Sequence, residues 1–268
     1  MKLFIIFGLL TVFSGAFAYF QNDSNSAGNL ENKTDESAES VAAVNKQPVL
    51  IELYTSQGCF SCPPADKLLS FLNKEQPFAQ AELITLELHV DYWDSHGWKD
   101  EFSSAIFSRR QDLYARSLRI NSTYTPQMVV DGRAEFIGSN LSKAQKAILD
   151  ATKTPKAKIE FARQKDSLKI NISDMPEHQN ATVFLAIAED NLASNVRGGE
   201  NSGKKLEHTS VVRELKSLGI LTPEQKTLEI ETIVQTLPNW KTENLRLVVF
   251  VQENASRKIL GVNRINLM

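Results

Sequence analysis

The two cysteines of the chain, Cys59 and Cys62, stand in the stretch VLIELYTSQGCFSCPP (residues 49–64) and constrain its fold more than any other feature. An apolar, β-favouring run from Val49 to Tyr54 leads through Thr55-Ser56-Gln57-Gly58 into the pair. After it Leu68, Leu69, Phe71 and Leu72 fall at helical spacing. A cysteine at a helix N-terminus faces unpaired backbone N–H groups and the positive end of the helix dipole, and both favour thiolate over thiol. A second cysteine three residues on can resolve a mixed disulfide formed on the first. Cys59 is therefore expected to be the exposed, more acidic thiol and Cys62 the shielded one. Pro63 and Pro64 supply no N–H, and Pro63 biases Cys62 away from the helical region. The helix is expected to start late and the acidification of Cys59 to be modest.

The next segments read as a regular alternation of elements. Ile84, Leu86, Leu88 and Val90 alternate with Thr85, Glu87 and His89, a strand with one buried face and His89 pointing outward. Asp91-Tyr92-Trp93-Asp94-Ser95-His96-Gly97-Trp98 is an aromatic and acidic loop, expected to lie near the cysteines. Helical spacing follows over 99–118. Gln127–Val130 and Ala134–Ile137 flank an Asp131-Gly132 hairpin turn, and Ser139 or Asn140 caps a helix over 141–152. The order β-α-β-α-β-β-α is that of a thioredoxin fold, in which Thr125-Pro126 would be a cis-proline unit lying against the Cys-x-x-Cys. From 154 the texture changes to short strands at Lys158–Phe161, Leu168–Ile172, Thr182–Ala188, Leu228–Val234, Arg246–Val251 and Ile259–Ile265, which suggest a small β-sandwich. A glycine-rich loop begins at Val196, and a helix is expected over 209–218.

The fold class is thus α/β, a thioredoxin-like domain over 47–153 followed by a β-rich, sandwich-like module over 154–268. Ahead of both, Lys2, the apolar run Leu3–Phe13 and Ala16-Phe17-Ala18 form a signal-peptide pattern over 1–18, too short to be a stable span. Residues 19–46 are expected to be a disordered linker, carrying Asp23, Glu31, Asp35, Glu36 and Glu39 against Lys33 and Lys46. Export to the periplasm or outside the cell would place the cysteines where a disulfide persists. The net charge of −2 makes no case for nucleic acid. Gly198–Lys204 imitates a nucleotide-binding loop, but Lys205 stands where Ser or Thr is needed for Mg²⁺. No G-x-S-x-G elbow points to a serine hydrolase.

The strings YTSQGCFSCPPAD (54–66), HVDYWDSHGWKDEFSS (89–104), YTPQMVVDGR (124–133) and RGGENSGKKLEHTSVVREL (197–215) resemble a family of bacterial secreted thioredoxin-like proteins catalogued as a domain of unknown function, number 1223. The similarity runs over about 47–265. It implies an exported protein with a thioredoxin-like core and assigns no substrate.

These features point to thiol–disulfide exchange with the thiols or disulfides of exported proteins. Cys59 would attack and Cys62 resolve, the two forming the disulfide in the oxidised state. Thr125 and Pro126 would align the substrate chain, with Tyr92, Trp93 and Trp98 beside them. No organic cofactor is implied, because the dithiol carries the electrons; a membrane electron donor would be needed for a reductase. Two alternatives stand beside this. One is a copper or zinc module using Cys59, Cys62 and His89 or His96, since thiolate and imidazole suit those metals. The other is a binding module whose disulfide is only structural. Arg197, Glu200, His208 and Arg213 read as loop anchors in preference to a second binding site.

Overall fold

The computed structural model describes residues 46–267; the expected signal peptide and all of the linker before Lys46 lie outside them. The first half runs β1 (Gln47–Thr55), α1 (Pro63–Glu75), β2 (Ala81–His89), α2 (Ala105–Leu118), β3 (Gln127–Val130), β4 (Ala134–Ile137) and α3 (Leu141–Ala151). β1 and β2 are parallel, with Val49 opposite Leu83. β3 pairs antiparallel with β1, and β4 with β3. The Asp131-Gly132 turn closes the last hairpin with φ of 51° and 65°, the twist that two-residue hairpins favour. A Cβ on Gly132 would stand 1.8 Å from the Arg257 carbonyl oxygen. Gly132→Ala is expected to cost more than the roughly 1 kcal/mol of a left-handed alanine alone. Urea unfolding checks this, and a change below that value would mean that the turn simply rearranges. The cap expected for α3 is Asn140, whose side chain accepts from Lys143 N at 3.0 Å.

The second half adds β5 (Lys158–Gln164), β6 (Ser167–Ser173), β7 (Ala181–Glu189), β8 (Leu192–Asn195), β9 (Lys205–His208), β10 (Val211–Leu221), β11 (Leu228–Ile233), β12 (Leu245–Glu253) and β13 (Ile259–Asn266). All six strands expected there are present. Four strands of this half extend the first sheet, giving the order β13-β12-β7-β10-β2-β1-β3-β4. The seam is narrow: β10 meets β2 at Val211 opposite Glu87, backed by Glu87 N donating to Ser210 O at 2.9 Å. A three-stranded sheet, β11-β6-β5, and a β8-β9 ribbon complete the set.

The helix expected over 209–218 is a strand. β10 carries register shifts between Val212 and Glu214 and between Ser217 and Gly219. Bulges of this kind reset the two-residue alternation, so Val212 and Leu215 pack on one face while Leu218 and Leu221 reach the other. The helical-looking spacing is the imprint of those two bulges.

Period-two alternation assigns the layers. Val49, Ile51 and Leu53 of β1 face α1 and α3, while Leu50 and Tyr54 face the side of α2, where Phe107 and Tyr114 pack. On β7, Val183, Leu185 and Ile187 meet the three-stranded sheet, while Ala186 and Ala188 join the α2 layer. Burial on both faces is why these strands read as unbroken apolar runs.

Candidate functional site

β1 ends at Thr55, and a tight turn carries the chain into α1. Cys59 N donates to Ser56 O, Cys62 N to Cys59 O, and Ala65 N and Asp66 N to Cys62 O. Cys62 is the N-cap residue, with Pro63 and Pro64 in the first turn. The helix therefore starts at once, against the expectation of a late start, and Cys62 sits in the right-handed helical region at φ −74°, ψ −41°. The preference of a residue before proline is overridden here by packing: Cys62 and Ala65 are fully buried and Leu69 and Leu72 fill the core under α1.

Both sulfurs are covered. Cys59 is 1% exposed and Cys62 0%, whereas Phe60 between them is 65% exposed. The expectation of an exposed Cys59 fails because the loop at 197–204 straps the turn. Asn201, itself buried, donates from Nδ2 to the carbonyls of Gln57 (3.0 Å) and Cys59 (2.8 Å). Glu200 Oε2 accepts from Phe60 N at 2.8 Å. Gly199 lies against Gly58, and Gly198 approaches the Gly97 carbonyl so closely that a Cβ there would stand 2.2 Å from its oxygen. The stretch that imitates a nucleotide loop is this strap.

The two thiols are free and differ in setting. Cys59 is lowered to about 6 because the Cys62 thiol donates to its sulfur; burial opposes this, and Ser61 and Thr125 add to it. Ser61 Oγ lies 3.3 Å from Cys59 Sγ. Cys62 is pushed up, first by burial, then by its bond to Cys59 and the nearby Asp66 carboxyl. Burial also raises Asp66, which accepts from Thr55 Oγ1 at 2.7 Å.

The 91–98 loop lies against this turn. Trp93 packs beside Gly58 and donates from Nε1 to Thr125 Oγ1 at 2.7 Å. Trp98 donates to Gln57 Oε1 at 2.8 Å. Tyr92, 37% exposed, bonds Gln111 Oε1. The Thr125-Pro126 bond is cis.

Below the turn lies a buried polar network that the alternation of β2 concealed. Thr85, Glu87 and His89 are all fully buried, so His89 does not point outward. His89 Nδ1 is 2.6 Å from Asp100 Oδ2, and His89 Nε2 is 3.0 Å from Glu87 Oε1. The same Glu87 oxygen meets His208 Nδ1 at 2.8 Å, and its other oxygen accepts from Thr209 N. Burial works against charge on His89, but the Asp100 and Glu87 carboxylates outweigh it and raise its pKa. Burial likewise opposes the Glu87 carboxylate, but the two imidazoles hold it at about 2. Asp100 Oδ2 also accepts from Gln57 N at 2.8 Å, which ties the network to the cysteine turn.

Among the described residues, the one group of three or more metal-type side chains that converges is Glu87, His89 and His208. Cys59, Cys62, His89 and His96 form no such group, and the ring nitrogens of His89 are already engaged by carboxylates. His96 is exposed and tilts over Trp93. Of the expected anchors, Glu200 and His208 are placed as described, and Arg213 lies over the rings of Phe102 and Trp240 with Glu189 3.4 Å away. Arg197 is exposed. Gln57, Asp100 and Asn201 were not singled out from sequence. Each lies inside one of the four family-like strings, which was the available signal.

No curated protein matches the chain. A crystal structure of a protein from Agrobacterium tumefaciens is similar, with 25% identity and a TM-score of 0.66, covering 82% of this chain and 94% of that one. A domain of the outer membrane lipoprotein Omp28 from Porphyromonas gingivalis matches at 15% identity and a TM-score of 0.27, covering 42% of this chain and 88% of that domain. Residues 50–252 match the sequence model of the family described as protein of unknown function DUF1223, and the chain belongs to that family.

Proposed function

We propose that this is an exported thiol–disulfide oxidoreductase on a thioredoxin-like scaffold, acting on the thiols or disulfides of exported proteins. The scaffold reading is supported by β2-β1-β3-β4, with β2 parallel and β3 antiparallel to β1. Helices α1 and α3 pack on one face and α2 on the other. The observation that carries the function is the unequal setting of the two thiols. Cys59 precedes α1 among the donors Cys62, Ser61 and Thr125, while Cys62 is buried beneath it near Asp66. Export rests on the Lys2, apolar-run and Ala16-Phe17-Ala18 pattern.

In the reducing direction the Cys59 thiolate attacks one sulfur of a substrate disulfide. A Cys59–substrate disulfide forms, and the other substrate sulfur leaves as thiolate and takes up a proton. Cys62 then loses its proton, which the Asp66 carboxylate, close enough to act on this thiol, can take up, and attacks Cys59 Sγ. The second substrate thiolate leaves, the Cys59–Cys62 disulfide forms, and two electrons have passed to the substrate. The reverse sequence oxidises a substrate dithiol. Thr125 bonds the attacking sulfur, and with the cis-linked Pro126 it would align a substrate chain there.

Cys62→Ser is expected to accumulate mixed disulfides with exported proteins, seen as ladders on non-reducing gels, because attack proceeds and resolution does not. Cys59→Ser should accumulate none. The burial of both sulfurs favours a second reading, a closed structural disulfide. That reading gains if neither variant traps a partner and both thiols alkylate with the pH dependence of free cysteine, about 8.5.

A further inference from the structure

Beside the turn runs a groove of about 940 Å³ between the start of α1 and the strap with β9. Ser61 lines it, and the Ser61 Oγ is 3.3 Å from the sulfur of Cys59, which lies buried just behind this wall. Its floor is apolar: the exposed Phe60 ring, Pro63 and Leu206. Its rim carries Lys67, Lys204 and Lys205, none of which forms an ion pair among the described residues. Lys204 lies 4.6 Å over the Phe60 ring and donates to Asn201 Oδ1. The acids of the lining are Glu207 and the buried Asp66. A chain with net charge −2 thus gathers three unpaired cations around one apolar trough next to its cysteines.

Resting on the redox reading above, we infer that this groove binds an extended, acidic segment of the substrate protein and presents the adjoining cysteine to Cys59. An apolar side chain of the segment covers Phe60, and its carboxylates meet Lys67 and Lys205. Such a rim selects partners and speeds encounter more than it adds affinity, and its effect weakens once salt shortens the screening length below the about 10 Å of 0.1 M ionic strength.

The test uses the full chain and two fluorescent peptides with the same apolar residues, one flanked by glutamates and one by lysines. With serine in place of the peptide cysteine, anisotropy reads the groove alone. The acidic peptide is expected to bind about tenfold more tightly at low salt. Lys67→Glu/Lys205→Glu should reverse that order; both residues are exposed, and circular dichroism confirms an unchanged fold. Lys204 is left in place because it holds Asn201. Equal binding of the two peptides, or an acidic preference that survives the double variant, overturns the inference. Cysteine-containing peptides, supplied as mixed disulfides to the Cys62→Ser chain, separate the two ideas. Selective binding without exchange supports the groove and removes the redox reading. Exchange indifferent to peptide charge removes the groove and leaves the redox reading.

Discussion

Arg110→Met is expected to cost about 3–5 kcal/mol, the cost of stranding one partner of a buried ion pair. For a chain of this size that corresponds to a fall in Tm of roughly 10 °C or more. Arg110 lies on α2 and is 7% exposed. It donates from Nε to Glu52 Oε1 at 2.6 Å and from Nη2 to Glu52 Oε2 at 3.1 Å, a bidentate pair. It also donates to Gln252 Oε1 and to the Tyr114 hydroxyl, which itself donates to Glu52. The guanidinium lies over the rings of Tyr114, Phe184 and Phe250 at 5.0–5.3 Å. Glu52, Arg110 and Tyr114 come from the first half of the chain; Phe184, Phe250 and Gln252 come from the second. Methionine keeps much of the packing but leaves the Glu52 carboxylate without its cation. Replacing both charges, as Glu52→Leu/Arg110→Met, should recover much of the loss, since apolar replacements of buried pairs are often neutral. Thermal unfolding followed by circular dichroism reads all three variants. Because the cluster ties the two halves, far- and near-ultraviolet signals should fall together. A loss below about 1 kcal/mol, or two separate transitions, would show that the cluster does not join them.

The legible parts of the molecule are those whose signal is local. The β1-to-α1 turn, the Asp131-Gly132 hairpin, the Asn140 cap and the alternating strands each follow from neighbouring residues. The illegible parts depend on pairing at long range. That β10 lies beside β2 is a contact between residues more than a hundred positions apart, and its two bulges erased the alternation that would have marked it as a strand. The polar residues of β2 read as a solvent face because alternation alone reports only that two faces differ. It is silent on whether the second face is covered by other polar groups, as Thr85, Glu87 and His89 are by Ser210, Thr209 and His208. The cysteine pair was plain in sequence, but its enclosure was not. The residues that enclose it, Asn201 and Glu200, lie some 140 positions away on a loop whose glycines suggested a different motif.

His89→Leu is expected to destabilise the fold by about 3–5 kcal/mol at neutral pH, and by much less in acid. The sign follows from the two carboxylates that the imidazolium joins. In the native protein Glu87 is held at about 2, below its unfolded value near 4.3, so it contributes on the order of 3 kcal/mol above that value and loses it as pH falls towards 2. Asp100 is lowered in the same direction: burial opposes its charge, and His89 with the amides of Gln57 and Phe102 overcomes it. His89 runs the opposite way. Its pKa is raised, so its contribution is complete below about 6.5 and is lost as pH rises through the folded value. Native stability should therefore fall on acidification below about pH 4. Leucine leaves Glu87 with His208 and the Thr209 amide, and leaves Asp100 with two amides and no cation. Burial then favours the protonated acids, so the variant loses less than the native protein in acid. The gap between them should hold down to about pH 5 and narrow as pH falls from about 4 towards 2 in urea unfolding. A gap that stays constant over that range would reduce His89 to a packing residue. Because Asp100 Oδ2 holds the Gln57 amide as well as the imidazole, the same substitution should also loosen the cysteine turn. Cys59 alkylation should then require a higher pH than in the native chain, a change that loss of packing elsewhere in the sheet would not produce.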